Sequence, residues 1–318
     1  MAMNRIQFQP GLSLPEFHRQ FATEDQCRTA LERARWPQGF RCPHCQHTAC
    51  YRIQGRTHPL FQCAACRKQT SLTAGTLLQK TLLPLRIWFL ALYLIGEAKT
   101  GLSALALKRQ LGINYRTAWL MQHKIMQAMQ QRDSAYTLSG TVQIDDAYLG
   151  GERSGGKVGR GSENKVPFVA AVSLDEQQHP IYLKLTPVAG FSQQAIIEWA
   201  KACLTPGTQV ISDGLYCFTA VSEVGCTHQP YVAGGRKPKD LPMFHWINTV
   251  LGNVKTSLSG TYHAFAFSKY ADRYLAAIAY RFNRRFRLDT LPLHLLTAAV
   301  TCEPKTERWL RKKAEVTT

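Results

Sequence analysis

Acid is what this 318-residue chain is short of: 21 Asp and Glu stand against 39 Lys and Arg, a formal net charge of +18. A surplus that large points to a polyanionic partner, nucleic acid first, rather than to a basic enzyme with no polyanion to bind. Long apolar runs are lacking too. The most apolar stretch, TLLPLRIWFLALYLI at 81–95, is short for a bilayer crossing and carries Arg86, so it reads as a buried helix. The opening MAMNRIQFQPGLSLPEF has no apolar segment of the kind an export signal needs, and a cytoplasmic, nucleoid-associated protein is expected. Nor do the ten cysteines resemble a disulfide framework. Four sit in two CxxC pairs and six are scattered, the pattern of one metal site plus ordinary thiols in a reducing compartment. No internal repeat or low-complexity tail is visible.

What is there begins with a helical pattern, FATEDQCRTALERARW, in which Thr23 and Gln26 stand at capping-box spacing and Pro37-Gln38-Gly39 stops the helix. The next segment holds Cys42 and Cys45, then Cys63 and Cys66, with seventeen residues between the pairs. That is structural zinc-ribbon spacing: two knuckles turn four thiolates inward and close a tetrahedral shell. A redox dithiol fits less well, because both pairs are present and no βαβ pattern follows. His44, His47 and Cys50 then read as bystanders. Beyond the ribbon, Leu102–Leu111, a tight Gly112-Ile113-Asn114 turn and Tyr115–Met129 have the outline of a helix-turn-helix. In that reading Asn114, Tyr115, Arg116 and Thr117 would reach DNA; an ordinary antiparallel helix pair is the alternative.

Past the polar connector QRDSAYTLSG the pattern turns to strands, TVQIDDAYLGG, KVPFVAAVSLD and PIYLKLTPV, then a helix, FSQQAIIEWAKACL, then the strand TQVISDG. This order predicts an α/β domain with a mixed sheet and helices against it. Asp145 and Asp213 each close a strand. An ionised carboxylate at a buried strand end is costly unless it is solvated, paired or bound to a cation, and two on neighbouring strands could hold Mg²⁺ or Mn²⁺. Turn and capping roles are the alternative, Asp213-Gly214 being a common turn dipeptide. Asn248 follows Asp213 by 35 positions and Lys255 follows Asn248 by seven, two helical turns that put both on one face.

Other signals are weaker. Gly151, Gly156 and Lys157 fit a phosphate loop, but Val158 stands where Ser or Thr should follow, so Arg153, Lys157, Arg160 and Lys165 read as phosphate contacts on a hairpin connection. His245, Trp246, Tyr262 and His263 flank the Asn248 helix, either as stacking groups for a displaced base or, for Trp246, as core. Between Lys269 and Arg287 six basic residues, Arg281, Arg284 and Arg285 among them, face one acid, Asp272; this is a phosphate track or a solvated helix face.

In order, RWPQGFRCPHC, the paired CxxC, the helix-turn-helix, VQIDDAYLGG, ISDG, NTVLGNVK, GTYHAF and YRFNRRF resemble the bacterial DDE-type insertion-sequence transposases that carry an N-terminal zinc ribbon, the fifteen-ninety-five insertion-sequence family. The resemblance implies an RNase H-like catalytic domain, structural zinc, catalytic Mg²⁺ or Mn²⁺, and cleavage and strand transfer at the terminal inverted repeats of a mobile element. Double-stranded DNA, both transposon ends and target, would be the partner, bound by a homodimer or higher oligomer. By position, Asp145 and Asp213 match the first two catalytic aspartates, Asn248 the third position, usually Glu, and Lys255 the lysine two turns later. Asp146 matches an acidic neighbour and, by strand alternation, is expected to face away from Asp145. An amide oxygen is a legitimate Mg²⁺ ligand though uncharged, and Asp240 is a possible substitute. A decayed enzyme or a non-catalytic DNA-binding regulator is the competing reading. The expected division is an N-terminal helical segment (1–38), zinc ribbon (39–73), helix-turn-helix domain (74–135), RNase H-like domain (136–290) and basic C-terminal tail (291–318).

Overall fold

The structure, a computed structural model, describes residues 11–54, 59–150, 165–232, 234–236, 241–262 and 265–312. Arg153, Lys157, Arg160, Asp240 and His263 lie outside them. The chain forms two compact units. One comprises Met1–Ala98, Ala104–Arg132 and Phe286–Leu310; the other is built mainly from Asp133–Arg285, with Lys99–Ser103 added.

In the first unit two capping boxes start the chain's helices. Ser13 and Glu16 exchange hydrogen bonds before α1 (Leu14–Phe21), and Thr23 and Gln26 do the same before α2 (Glu24–Arg35), as their spacing predicts. Arg35, the last residue of α2, donates to the carbonyls of Ser71, Leu72 and Ala74 and so ties the helix to the segment after the ribbon. The ribbon is an antiparallel three-stranded sheet, β1 (Cys50–Ile53), β2 (Leu60–Cys63) and β3 (Gln69–Ser71), backed by Trp36, Phe40 and Phe61. The apolar run around Arg86 forms α3 (Leu85–Glu97), with Trp88, Phe89, Leu92 and Ile95 buried. Next come α4 (Ala104–Leu111) and α5 (Tyr115–Asp133), separated by a turn in which Gly112 takes φ +65°, a conformation glycine adopts without steric cost.

The expected basic tail is instead largely core. Residues 291–301 form α9 (Leu291–Thr301), whose Leu291, Leu295, Leu296 and Ala299 are buried, and Leu77 N–H donates to Ala299 O at 2.9 Å. The cause is the apolar run LPLHLLTAAV. Each such side chain gains about 1.5–3 kcal/mol by leaving water, which outweighs the pull of the flanking charges toward solvent. A short α10 (Glu307–Leu310) follows.

The second unit holds a five-stranded sheet in the order β6-β5-β4-β7-β8. Strands β4 (Thr141–Leu149), β5 (Val166–Leu174) and β6 (Pro180–Pro187) pair antiparallel in turn, whereas β7 (Gln209–Ser212) pairs parallel with β4 and β8 (Thr227–Pro230) parallel with β7. This mixed sheet with helices on both faces is RNase H-like. Val142 and Ile144 point to one face, where α6 (Gln193–Cys203) and a 3₁₀ helix (Tyr216–Val224) cover them. Leu149 and Ile211 point to the other face, covered by α7 (His245–Gly260) and α8 (Phe267–Asn283). Among the described residues no helix is long and apolar enough to cross a membrane.

Candidate metal centres and catalytic rim

In the ribbon the two CxxC segments are folded alike. Cys42 N–H donates to His47 O and Gln46 N–H to Cys42 O; one pair later Cys63 N–H donates to Lys68 O and Arg67 N–H to Cys63 O, all within 2.9–3.1 Å. Closing each knuckle this way forces Gln46 and Arg67 into the left-handed region, φ +63° and +60°, a strain that non-glycine residues accept only where the surroundings impose it. The turns bring the four sulfurs within 4.8 Å of one another, with Cys42···Cys66 at 3.7 Å and Cys45···Cys63 at 3.5 Å. A tetrahedron of Zn–S bonds near 2.3 Å has edges of about 3.8 Å, so these thiols fit zinc. Backbone N–H groups, that of Cys45 foremost, hold the Cys42 thiol down at about 6 and favour the thiolate that a metal needs. His44, His47 and Cys50 stand outside this cluster.

At the other centre the sheet register does the positioning. Gln143 pairs with Ile211 across the parallel β4/β7 ladder. Two residues further along, side chains return to the same face, which sets Asp145 beside Asp213. Asp213 directly follows β7, whereas Asp145 does not close its strand as expected but lies in the middle of β4, which stays paired with β5 through Leu149. The same face meets α7. The buried Gln143 side chain accepts the Ile247 N–H at 3.0 Å, anchoring the start of that helix two residues short of Asp145. Asn248 follows Ile247 on the exposed side of α7, and Lys255, also exposed, lies seven residues on, near the same helical azimuth.

Asp145, Asp146 and Asp213 bring carboxylate oxygens within 4.8 Å of one another. Asp146 therefore does not face away, contrary to the expectation from alternation. Consecutive Cα atoms are only about 3.8 Å apart, and β7 pairs with β4 only as far as Gln143, so the β4 edge at Asp145 and Asp146 is left open and both carboxylates can turn toward Asp213. Asp146 N–H also donates to Asp145 Oδ1 at 2.9 Å. Burial and then the charges of Asp213 and Asp146 push Asp145 up to about 7, while the Asp146 N–H and the Lys255 ammonium pull it back. Asp213 Oδ1 accepts Leu215 N–H at 3.1 Å, and Gly214 turns with φ +87°. Ser212, just before it, is held by His228 Nε2 at 2.8 Å and accepts Gly214 N–H. Three hard oxygen donors crowded this closely, one already holding its proton near neutrality, fit a divalent cation such as Mg²⁺ or Mn²⁺.

Of the basic residues expected to form a track between Lys269 and Arg287, three are engaged within the unit, while Arg287 is exposed. Arg281 is buried and hydrogen-bonded to Tyr262. Arg284 pairs with Asp133 at 2.7 Å, both side chains largely enclosed, with its guanidinium over the Tyr280 ring. Arg285 donates to the Pro180, Ile181 and Phe282 carbonyls. All three hold the end of α8 to its neighbours, Arg281 from a buried position and Arg284 and Arg285 from half-buried ones. Of the aromatic candidates, Tyr262 is buried and accepts Leu102 N–H, Trp246 is half-buried with its Nε1 donating to Gln178 O, and His245 is exposed at the start of α7. In the first unit Asn114 caps α5 through Thr117 N–H at 2.8 Å, Tyr115 is half exposed, and Arg116 is exposed but paired with Glu307 at 2.8 Å. Alternation ranks Asp146 behind Asp145 by turning it away, and the sequence reading does not include the anchoring role of Gln143. The paired DD was the available signal for the first; a lone glutamine inside an apolar strand was the signal for the second.

The family model described as an ISXO2-like transposase domain matches residues 137–283, and that of a transposase zinc-ribbon domain matches residues 22–69. A Halobacterium salinarum protein described as an uncharacterized protein in transposable element ISH50 is 24% identical over 231 residues, 68% of this chain and 76% of that one. Among solved structures, a pre-cleavage Mos1 transpososome covers 68% of this chain and 79% of its own at 13% identity and a TM-score of 0.22. A Mos1 strand transfer complex gives the same coverage at 14% identity and 0.24.

Proposed function

From the premise that this chain belongs to the zinc-ribbon DDE insertion-sequence transposases, we propose that it binds the terminal inverted repeats of its own mobile element and cleaves and joins DNA there. The observation that supports this best is the carboxylate cluster at the β4/β7 rim. Asp145 and Asp213 are the principal ligands for Mg²⁺ or Mn²⁺. Asp146 contributes the third carboxylate, which offsets the missing charge at Asn248, and Asn248 offers its amide oxygen from α7. A bound divalent cation would supply charge neutralisation at phosphorus and acidify the attacking hydroxyl.

The chain's own groups orient the DNA and manage protons. Lys255, whose charge is felt at Asp145, steadies the non-bridging phosphate oxygens. The Gln143 anchor and the Ser212–His228 pair fix α7 and the Asp213 turn, so that the donors stand ready before DNA arrives. In cleavage a water oxygen bonds to phosphorus as the P–O3′ bond breaks, leaving a free 3′-hydroxyl. In joining that hydroxyl bonds to a target phosphorus as the target P–O3′ bond breaks. One bond forms for each lost, so no nucleotide hydrolysis is needed. The ribbon and the turn at Asn114–Thr117 bind the repeats, and pairing two ends calls for a homodimer or larger assembly.

A strand-transfer assay on the repeats flanking the gene tests this. Wild-type protein should join ends to target in Mg²⁺ or Mn²⁺, Asp145→Ala and Asp213→Ala should abolish joining with end binding kept, and Asn248→Glu should retain or raise it. Asn248 also favours a second reading, a DNA-binding regulator with a decayed site. End binding without joining by the wild type, rescued by Asn248→Glu, would establish that reading instead.

A further inference from the structure

With Tyr262 buried and Trp246 half-buried, the exposed aromatic and apolar side chains are the better surface for the bases beside the scissile phosphate. Among the described residues of the second unit, the exposed large apolar side chains are Ile181, Tyr182, Tyr216 and Val232, and the last two, 74% and 68% exposed, are the most exposed. Both border the turn that carries Asp213. Tyr216 opens the 3₁₀ helix three residues after that ligand, so its Cα lies within about 11 Å of it however the chain bends. The inner residues of this helix, Cys217, Phe218, Ala220 and Val221, are buried. They fix the backbone and leave the Tyr216 ring in water. Val232 lies against the same turn: a Cβ on Gly214 would stand 3.1 Å from its Cγ2, tight enough that the valine would have to shift, and the φ of +87° there is one that glycine adopts without strain.

A single exposed aromatic needs no explanation, but two apolar side chains flanking a turn that ends in a metal-ligating carboxylate do. Their charge character selects the occupant. The rim behind them is acidic and tolerates a phosphate only alongside a cation, whereas a nucleobase face is neutral and every base offers one to an aromatic ring. We infer that Tyr216, backed by Val232, is the base-stacking platform for the nucleotide adjoining the scissile phosphate, taking an unpaired base from the transposon end. The inference rests on the transposase reading and adds to it a residue that sets where the strand lies.

The test uses the full-length protein and a duplex of the flanking terminal repeat, with 2-aminopurine placed in turn at the positions around the cleavage point. In Ca²⁺, wild-type protein should quench the emission of a probe at one position next to the scissile phosphate, Tyr216→Phe should quench it as well, and Tyr216→Ala should leave it bright. In Mg²⁺, cleavage by Tyr216→Ala should show a KM raised about tenfold with a smaller change in kcat, since stacking on an aromatic ring is worth roughly a five- to hundredfold change in affinity per base. A Tyr216→Ala protein that cleaves and quenches like wild type overturns the inference and leaves the transposase reading standing. Wild-type protein that neither binds nor cleaves the repeat overturns both.

Discussion

Replacing Asp145 by Asn should stabilise the metal-free protein, and only above a definite pH. Burial and two neighbouring carboxylates raise this group from 3.8 to about 7 in the folded chain. The folded state thus keeps a proton that the unfolded chain has lost, so stability is greatest below about pH 4, declines as pH rises toward 7, and levels off above it. Three pKa units at about 1.36 kcal/mol each set a ceiling of about 4 kcal/mol, reduced by whatever water reaches the site. Asn copies the shape of the protonated acid and carries no charge. Variant and wild type should therefore match near pH 4 and separate by up to about 4 kcal/mol at pH 8. Saturating Mg²⁺ should close the gap by binding the wild type alone. Urea unfolding at a series of pH values, read by hydrogen exchange of β4 and β5 peptides in magnesium-free buffer, measures this. A difference between the two proteins that stays constant from pH 4 to 8 would refute the argument.

Other outcomes follow from the same geometry. Cys42→Ser should lose the zinc and unfold the ribbon, read as loss of one equivalent of zinc and of protection in β1–β3, while the β4–β8 sheet keeps its own protection. Arg284→Ala should destabilise the second unit by about 3 kcal/mol, because it leaves Asp133 enclosed without its cation, and should leave the salt dependence of DNA binding unchanged. Arg116→Ala should weaken repeat binding by about 1–3 kcal/mol and relax discrimination at one base pair, measured by fluorescence anisotropy on mutated repeats.

Much of the fold could be read from local chemistry. The Thr23–Gln26 capping box, the four ribbon cysteines and the Gly112 turn between α4 and α5 are determined within a few residues of themselves, and the structure has them where their spacing predicts. Asp213 stands just past β7 as its pattern suggests, but Asp145 lies within β4 and not at its end, and the adjacency of the two depends on the β4/β7 register, which no local pattern encodes. The internal partners of the arginines at the end of α8 are hidden for the same reason. A helix shows which residues are basic, but the partners of Arg284 and Arg285 lie 151 and 105 residues away in the chain. Asp146 differs from expectation for another reason: alternation gives the direction of Cβ, and a carboxylate on a stretch of β4 that β7 no longer covers is not bound by it. The 291–301 segment shows that net charge over a terminal stretch says little when an apolar run sits inside it.

The account turns on one claim, that the carboxylates at the β4/β7 rim share a divalent cation. Titrating Mn²⁺ into zinc-loaded protein and following free Mn²⁺ by electron paramagnetic resonance tests it directly. Wild-type protein should take up Mn²⁺ in competition with Mg²⁺, and Asp145→Asn combined with Asp213→Asn should abolish that uptake while the ribbon keeps its zinc. Equal Mn²⁺ uptake by wild type and double variant, or none by either, would contradict it.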